Sequence, residues 1–336
     1  MTARENALRI VRFDRPEYVM TGLPCHGIGY RGVNHEGYAG GGHECPIGTR
    51  WTDVWGTTWE KKQEGVMGFP VRHPISDEAS LRAYRWPDPD DERICGGIYT
   101  LARDFAGSDV FLGGRHRDTL WEKAYMLVGM ENLMIYFHTE PGFAREVLHR
   151  IMDFQMGIAR HYLKAGIEYA ALGDDLGTQL GPLISPRAVQ DFLVPEYRRL
   201  FDLYRQRGVL IEFHSCGRID WMIETFMRLG VDILNPVQAT ANDLVKVRAM
   251  TQGRMALAGA VSSAIIMDGP VERIRRAACE RIWQLAQSGG YFCRADQGLP
   301  FPPDHAVALA EAVEQYGRYP LQPPAHAGSP EQMPRV

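Results

Sequence analysis

Val209-Leu210-Ile211-Glu212-Phe213-His214-Ser215-Cys216-Gly217 carries an imidazole and a thiol two residues apart at the end of an apolar run. A short, mostly apolar run gives way to a glycine, the pattern of a buried strand that ends in a turn. In an extended strand, residues i and i+2 point the same way, so His214 and Cys216 can converge on one point. A second thiol, Cys293, closes another strand-like run, Gly290-Tyr291-Phe292-Cys293. One imidazole nitrogen and two sulfurs are ligand types that zinc prefers, and three protein ligands leave a position for substrate. Free cysteine also fills cores as a small hydrophobe, so the motif alone leaves packing as an open alternative.

Outward from that stretch the chain alternates. Residues 109–113 read as a strand, 119–137 and 142–165 as helices, and 167–172 as a strand ending in Gly173-Asp174-Asp175. Ser185-Pro186 opens a helix towards Gln206, with serine as N-cap and proline at the first position, and Gly208 stops it. Strands at 209–213, 231–235 and 254–258 each follow a helical stretch. A helix at 271–286 leads to a strand at 290–293, and a helix at 304–316 closes the series. Such alternation implies βαβ units and a parallel sheet. No Gly-x-Gly-x-x-Gly follows a strand, so the expected fold is an α/β (β/α)8 TIM barrel rather than an open doubly wound sheet. Six units are visible, and the N-terminal region is left to supply the others.

That region, residues 1–90, reads as an irregular extension or lid packed on the barrel. It is rich in glycine and aromatics (Gly40-Gly41-Gly42, Trp51, Trp55, Trp59, Trp86) and runs into the connection Pro87-Asp88-Pro89-Asp90-Asp91. The main part of the barrel is assigned to 91–320, and 321–336, with Pro323, Pro324, Gly328 and Pro330, to a flexible tail. With 336 residues, 45% apolar and 23% charged, the chain has ample material for one large core. A net charge of −4 without a basic cluster gives no sign of nucleic acid or anionic membrane. No apolar run is long enough to span a bilayer, and Met1-Thr2-Ala3-Arg4-Glu5-Asn6 lacks a signal-peptide apolar region. Six cysteines in so long a chain do not make a disulfide scaffold, and the expected setting is cytoplasmic, with reduced thiols.

In a barrel, functional groups gather at the C-terminal ends of the strands. The odd polar residues fall there: Asp174, Asp175, His214, Cys216, Gln238, Cys293 and Asp296. Asp174 and Asp175 are adjacent, so a regular strand points them to opposite sides. Asp175 is the candidate proton donor or substrate-orienting group, with capping of the next turn as its alternative. Asp174, Gln179, Asp296 and Trp55 are candidate substrate contacts, although the tryptophans also suit packing of the extension onto the body. Gly41-Gly42-His43-Glu44-Cys45 echoes the His-x-Cys spacing but has no matching partner, and reads as a surface loop.

Gly173-Asp174-Asp175-Leu176-Gly177-Thr178-Gln179, Pro195-Glu196-Tyr197, His214-Ser215-Cys216-Gly217, the run from Gly230 to Gln238 and Tyr316-Gly317-Arg318-Tyr319-Pro320 resemble the uroporphyrinogen decarboxylase superfamily. Within it, they are similar to the corrinoid-dependent zinc methyltransferases. The resemblance spans about residues 50–320 and implies zinc bound by His214, Cys216 and Cys293. Gln238 stands where thiol-methylating relatives commonly place a glutamate, so it implies either a neutral oxygen ligand or a hydrogen-bonding neighbour of the metal. The arginine-rich N-terminal motif of the decarboxylases has a poor match around Tyr30-Arg31-Gly32. A near-neutral ligand shell keeps zinc a strong Lewis acid towards an ether or phenol oxygen.

The expected function is therefore an O-demethylase type of methyltransferase. It moves a methyl group from a methoxylated, aromatic small molecule to Co(I) of a separate corrinoid protein. The chain itself shows no Asp-x-His-x-x-Gly cobalamin motif. A methylcobalamin:thiol methyltransferase and a metal-free lyase are the alternatives, and a second copy of the chain is admitted as a further partner.

Overall fold

The computed structural model describes residues 1–105 and 108–324; all but the first four residues of the 321–336 tail lie outside the described residues. Within the stretch read as irregular, the chain begins with a helix, α1 (Ala3–Arg12). Thr2 and Glu5 form a reciprocal capping box there, which satisfies two otherwise orphaned N–H groups. Strand β1 (Cys25–Ile28) follows, and then a small antiparallel sheet of β2 (Arg50–Thr52), β3 (Thr58–Glu60) and β4 (Phe69–Arg72). Short helices α2 (Glu78–Ala83) and α3 (Glu92–Arg103) lead into the regular part.

There β5 (Phe111–Arg115) precedes α4 (Trp121–Val128), α5 (Met130–Thr139) and α6 (Pro141–Ala165). The predicted helix at 119–137 is divided at Gly129, whose φ of 93° no helix accommodates. After β6 (Tyr169–Gly173), the predicted Ser185–Gln206 helix comes in three parts: α7 (Pro186–Ala188), a wider π turn (Val189–Leu193) and α8 (Val194–Arg205). Pro195 explains the widening. It offers no N–H to the carbonyl of Asp191, which accepts from the Arg145 guanidinium at 2.6 Å instead.

The remaining units are β7 (Leu210–His214), α9 (Ile223–Leu229), β8 (Ile233–Val237), α10 (Leu244–Thr251) and β9 (Ala256–Val261), then α11 (Ser263–Asp268), α12 (Val271–Leu285), β10 (Tyr291–Ala295) and α13 (Pro303–Tyr316). Most strands start about two residues later than the apolar runs suggest, because the first apolar residue closes the preceding helix. Gly166, Gly208 and Gly230 are left-handed, with φ of 86°, 70° and 86°. Behind them the N–H groups of Ile167, Val209 and Val231 reach back to Tyr162, Tyr204 and Phe226 carbonyls at 3.2, 3.2 and 3.0 Å.

Seven parallel strands form one curled sheet in the order β1-β5-β6-β7-β8-β9-β10. Chain just before β1 reaches the other edge, where Met20 bridges to Phe292 and its carbonyl accepts the Cys293 N–H at 2.9 Å. This is the TIM-barrel-like α/β architecture, with seven strands among the described residues, and β1 comes from the N-terminal stretch. Ala7, Ile10 and Val11 of α1 pack on Phe111, Tyr169, Ile233 and Ala256, the first residues of four strands. The N-terminal end of the barrel is thus plugged, and the mouth at the C-terminal ends stays available. No helix of the described residues is long and apolar enough to cross a membrane.

Candidate active site

Two turns build the mouth: the one after β6 and the one after β7. They meet through glycines. A Cβ at Gly217 would fall 2.4 Å from the Gly177 backbone, and one at Gly177 would fall 2.7 Å from the Cys216 carbonyl oxygen. Gly217 also has φ 80°. Gly173 leaves room for His214, whose Cβ would lie 2.8 Å from an added methyl. The Ser215 hydroxyl accepts the Leu176 N–H at 3.1 Å, which ties the turns together.

This close approach brings Asp175, His214 and Cys216 into one group whose ligand atoms all lie within 4.8 Å of one another. His214 Nε2 stands 3.3 Å from Cys216 Sγ and 3.5 Å from Asp175 Oδ1. The same carboxylate oxygen accepts the Cys216 N–H at 2.8 Å, and Gln297 Nε2 lies 2.8 Å from the sulfur. Burial and the adjacent Asp175 charge push the Cys216 thiol well above its ordinary value. Burial also acts to raise Asp175, but His214 and the Cys216 N–H outweigh it and hold that carboxyl below the usual range. A cation among the three would reverse the pressure on the thiol, since a metal ligand must be deprotonated.

Behind Asp175 lies Glu122, whose Oε2 accepts the Asp175 N–H at 3.3 Å while Oε1 accepts the Tyr125 hydroxyl at 3.0 Å. Burial first, then the charges of Asp118, Asp175 and Asp174, push this carboxyl well up. Glu122, Gln297 and the neighbouring Asn235, at 3.5 Å from His214 Nδ1, were not anticipated from the sequence. Gln297 lies four residues past Cys293 and two past the end of β10, where strand alternation no longer signals a direction. Glu122 sits in the first turn of a helix, where no strand-end signal exists.

Several expected site residues are placed elsewhere. Cys293 alternates with Phe292 and Arg294, which face the barrel interior, so it faces the helical layer. It is fully buried in the main apolar core, where burial pushes its thiol up to about 12, and it is absent from the ligand group. Gln238 does not face the ligands either. Its Oε1 accepts the Gly217 N–H at 2.6 Å and the Gln179 amide at 3.1 Å, so both glutamines brace the loop after β7. Asp174 is fully buried and accepts the N–H groups of Leu120 and Glu122 at 2.9 and 2.8 Å and the Tyr197 hydroxyl at 2.5 Å. It caps α4 and does not reach the mouth. Asp296 likewise accepts the Ser263 N–H and hydroxyl at 2.9 and 2.7 Å, at the start of α11. Trp55 is buried in the main apolar core, edge-on to Phe154 with ring centroids 4.5 Å apart.

The uroporphyrinogen decarboxylase family model matches residues 64–316, three-quarters of the sequence and nearly all of the barrel. The chain belongs to the uroporphyrinogen decarboxylase family. Uroporphyrinogen decarboxylases of Salmonella agona and Burkholderia pseudomallei are 24% and 27% identical over 252 and 267 residues. These alignments cover 72% and 75% of this chain and 70% and 71% of those proteins. A methyltransferase from Methanosarcina mazei has a similar fold, with a TM-score of 0.65 at 16% identity, over 94% of this chain and 99% of that one. Within the family's fold, the turn after β7 carries His214 and Cys216, and the turn after β6 supplies Asp175.

Proposed function

We propose that this member of the family is a zinc-dependent methyltransferase. It would take a methyl group from a methoxylated, aromatic substrate and pass it to Co(I) of a separate corrinoid protein. The observation that carries the reading is the convergence of His214 Nε2, Cys216 Sγ and Asp175 Oδ1 at the barrel mouth. These donors fit zinc: nitrogen, sulfur and oxygen from three residues, with a fourth position left for substrate. Asp175, His214 and Cys216 would hold the ion, and Cys293 and Gln238 would not. A carboxylate and a thiolate balance the two charges of zinc, so the near-neutral shell inferred from the sequence is kept with a different ligand set.

When bound, zinc supplies Lewis acidity that stabilises the substrate oxygen as its methyl group departs. The protein groups around it prepare that event. Asn235 lies on the Nδ1 side of the His214 ring, and Nε2 faces Asp175 and Cys216. The Gln297 amide donates to the Cys216 sulfur, which moderates the basicity of its thiolate. Burial and the neighbouring carboxylates hold the Glu122 carboxyl well up, beside the Asp175 N–H that it accepts. That a Methanosarcina mazei methyltransferase has a similar fold is consistent with this reading.

The test is a methyl-transfer assay with zinc-loaded protein, reduced cobalamin and a panel of methoxylated aromatics, read by the change in cobalamin absorbance. Wild type is expected to methylate cobalamin, and His214→Ala to lose at least about 100-fold in rate. Methylation by His214→Ala at the wild-type rate would contradict the proposal. Decarboxylation of a carboxylated substrate by metal-free protein would point to the lyase chemistry of the curated relatives instead.

A further inference from the structure

Two arginines enter the barrel interior, and neither serves the metal-ligand group. Arg294 of β10 donates to Glu212 of β7 at 2.6 Å, and Glu212 also accepts the Tyr169 hydroxyl of β6 at 2.8 Å. Since β8 and β9 separate β7 from β10, this bond crosses the lumen. Arg115, the last residue of β5, is its neighbour around the barrel. Gly113 of β5 faces Cys25 of β1 and the Tyr169 ring, and the strand's period of two turns Arg115 to the same interior. Between the two arginines, β1 presents Gly27, and a Cβ there would lie 3.0 Å from Arg115 Cδ. Among the described residues, no side chain or carbonyl accepts from the Arg115 guanidinium, and its side chain is exposed at the mouth.

Two guanidiniums against the single carboxylate of Glu212 leave one uncompensated positive charge. It sits on the β1–β5 side of the mouth, whereas Asp175, His214 and Cys216 sit on the β6–β7 side. A guanidinium that stands open at the mouth without a protein acceptor is free to take an anionic ligand. One excess charge suits a monoanion, and the planar fork of arginine suits a carboxylate. We infer that Arg115 holds the carboxylate of the substrate while its reacting end lies against Asp175, His214 and Cys216. This deepens the methyl-transfer reading by naming the substrate class: a small molecule with one carboxylate at the end remote from the reacting group. Arg115 is then the residue that sets specificity, and Glu212 positions Arg294 within the same wall.

Equilibrium binding tests this without turnover, so its failure stays separate from failure of the methyl-transfer reading. The probes are 4-methoxybenzoate and methoxyacetate, each against its neutral amide, titrated into zinc-loaded protein by calorimetry. At least one acid is expected to bind roughly tenfold or more tightly than its amide, the range of a charge-assisted hydrogen bond. Arg115→Gln should remove that preference while leaving the melting temperature near wild type, because the guanidinium has no protein partner to lose. Arg115→Lys should restore part of it, since a point charge replaces a fork. Equal affinity for acid and amide, no binding of either acid, or an undiminished preference in Arg115→Gln would each overturn the inference.

Discussion

Cys216 and Cys293 show how the local direction of one side chain decides what a thiol can do. Both follow apolar runs, yet Cys216 lies beyond the end of its strand, where the turn carries its sulfur to His214. Cys293 is in mid-strand and faces the helices. Cys293→Ser should therefore keep its metal and lose stability, about 1–3 kcal/mol for a buried hydroxyl that replaces a thiol, as chemical denaturation would read. The aspartates divide in the same way. Asp174→Ala leaves two N–H groups and a hydroxyl without an acceptor in the core, at about 3 kcal/mol or more, and should retain metal binding. Asp175→Ala should do the reverse, with weaker metal binding and a smaller loss of stability.

His116 carries a pH dependence of its own. It is buried between Gln155 Oε1, at 2.7 Å from Nδ1, and the Tyr204 hydroxyl at Nε2, a pair of bonds that suits the neutral ring. Burial lowers its pKa to about 4, against 6.5 in the unfolded chain, although the Gln155 bond acts the other way. The unfolded state therefore binds the extra proton first as pH falls. Folding stability is intact above pH 6.5 and declines from there to about pH 4, by about 3 kcal/mol in total. A denaturation series across that window should show the decline, and His116→Gln should flatten it.

At the scale of elements, the alternation of strands and helices was legible because each apolar run and each glycine stop carries a local signal. Strand starts were displaced because Val209 and Val231 belong to helix caps that look like strand on an apolar count. Pro195 inside a helix and the capping helix α1 needed geometry, since the first is rescued by Arg145 from a distant helix. Of the site, the residues beyond strand ends were readable, whereas their directions were not. Period-two alternation ends where the strand ends, and the turn conformation then decides. Gly217 is such a turn residue. Gly217→Ala, with a positive φ and a Cβ 2.4 Å from backbone, should separate the turns. The expected result is loss of metal binding and at least about 2 kcal/mol of stability, measured by calorimetry and denaturation.

At the scale of the molecule, the N-terminal 90 residues are part of the barrel's construction, since they supply the plug α1, the strand β1 and the Met20 seam. Removal of residues 1–13 exposes the ends of β5, β6, β8 and β9 that Ile10 and Val11 cover. The cost should be roughly 3–6 kcal/mol, read from the thermal transition, with exposed apolar surface detectable by dye binding. With one end sealed by α1, the ligand group lies at the opposite, C-terminal end of the strands.

Metal content per chain, by mass spectrometry on wild type, Cys216→Ser and Cys293→Ser purified without chelator, decides whether the His214–Cys216 turn holds an ion. About one zinc is expected in wild type and in Cys293→Ser, with its loss in Cys216→Ser. No metal in wild type, or metal lost with Cys293 rather than with Cys216, would contradict it.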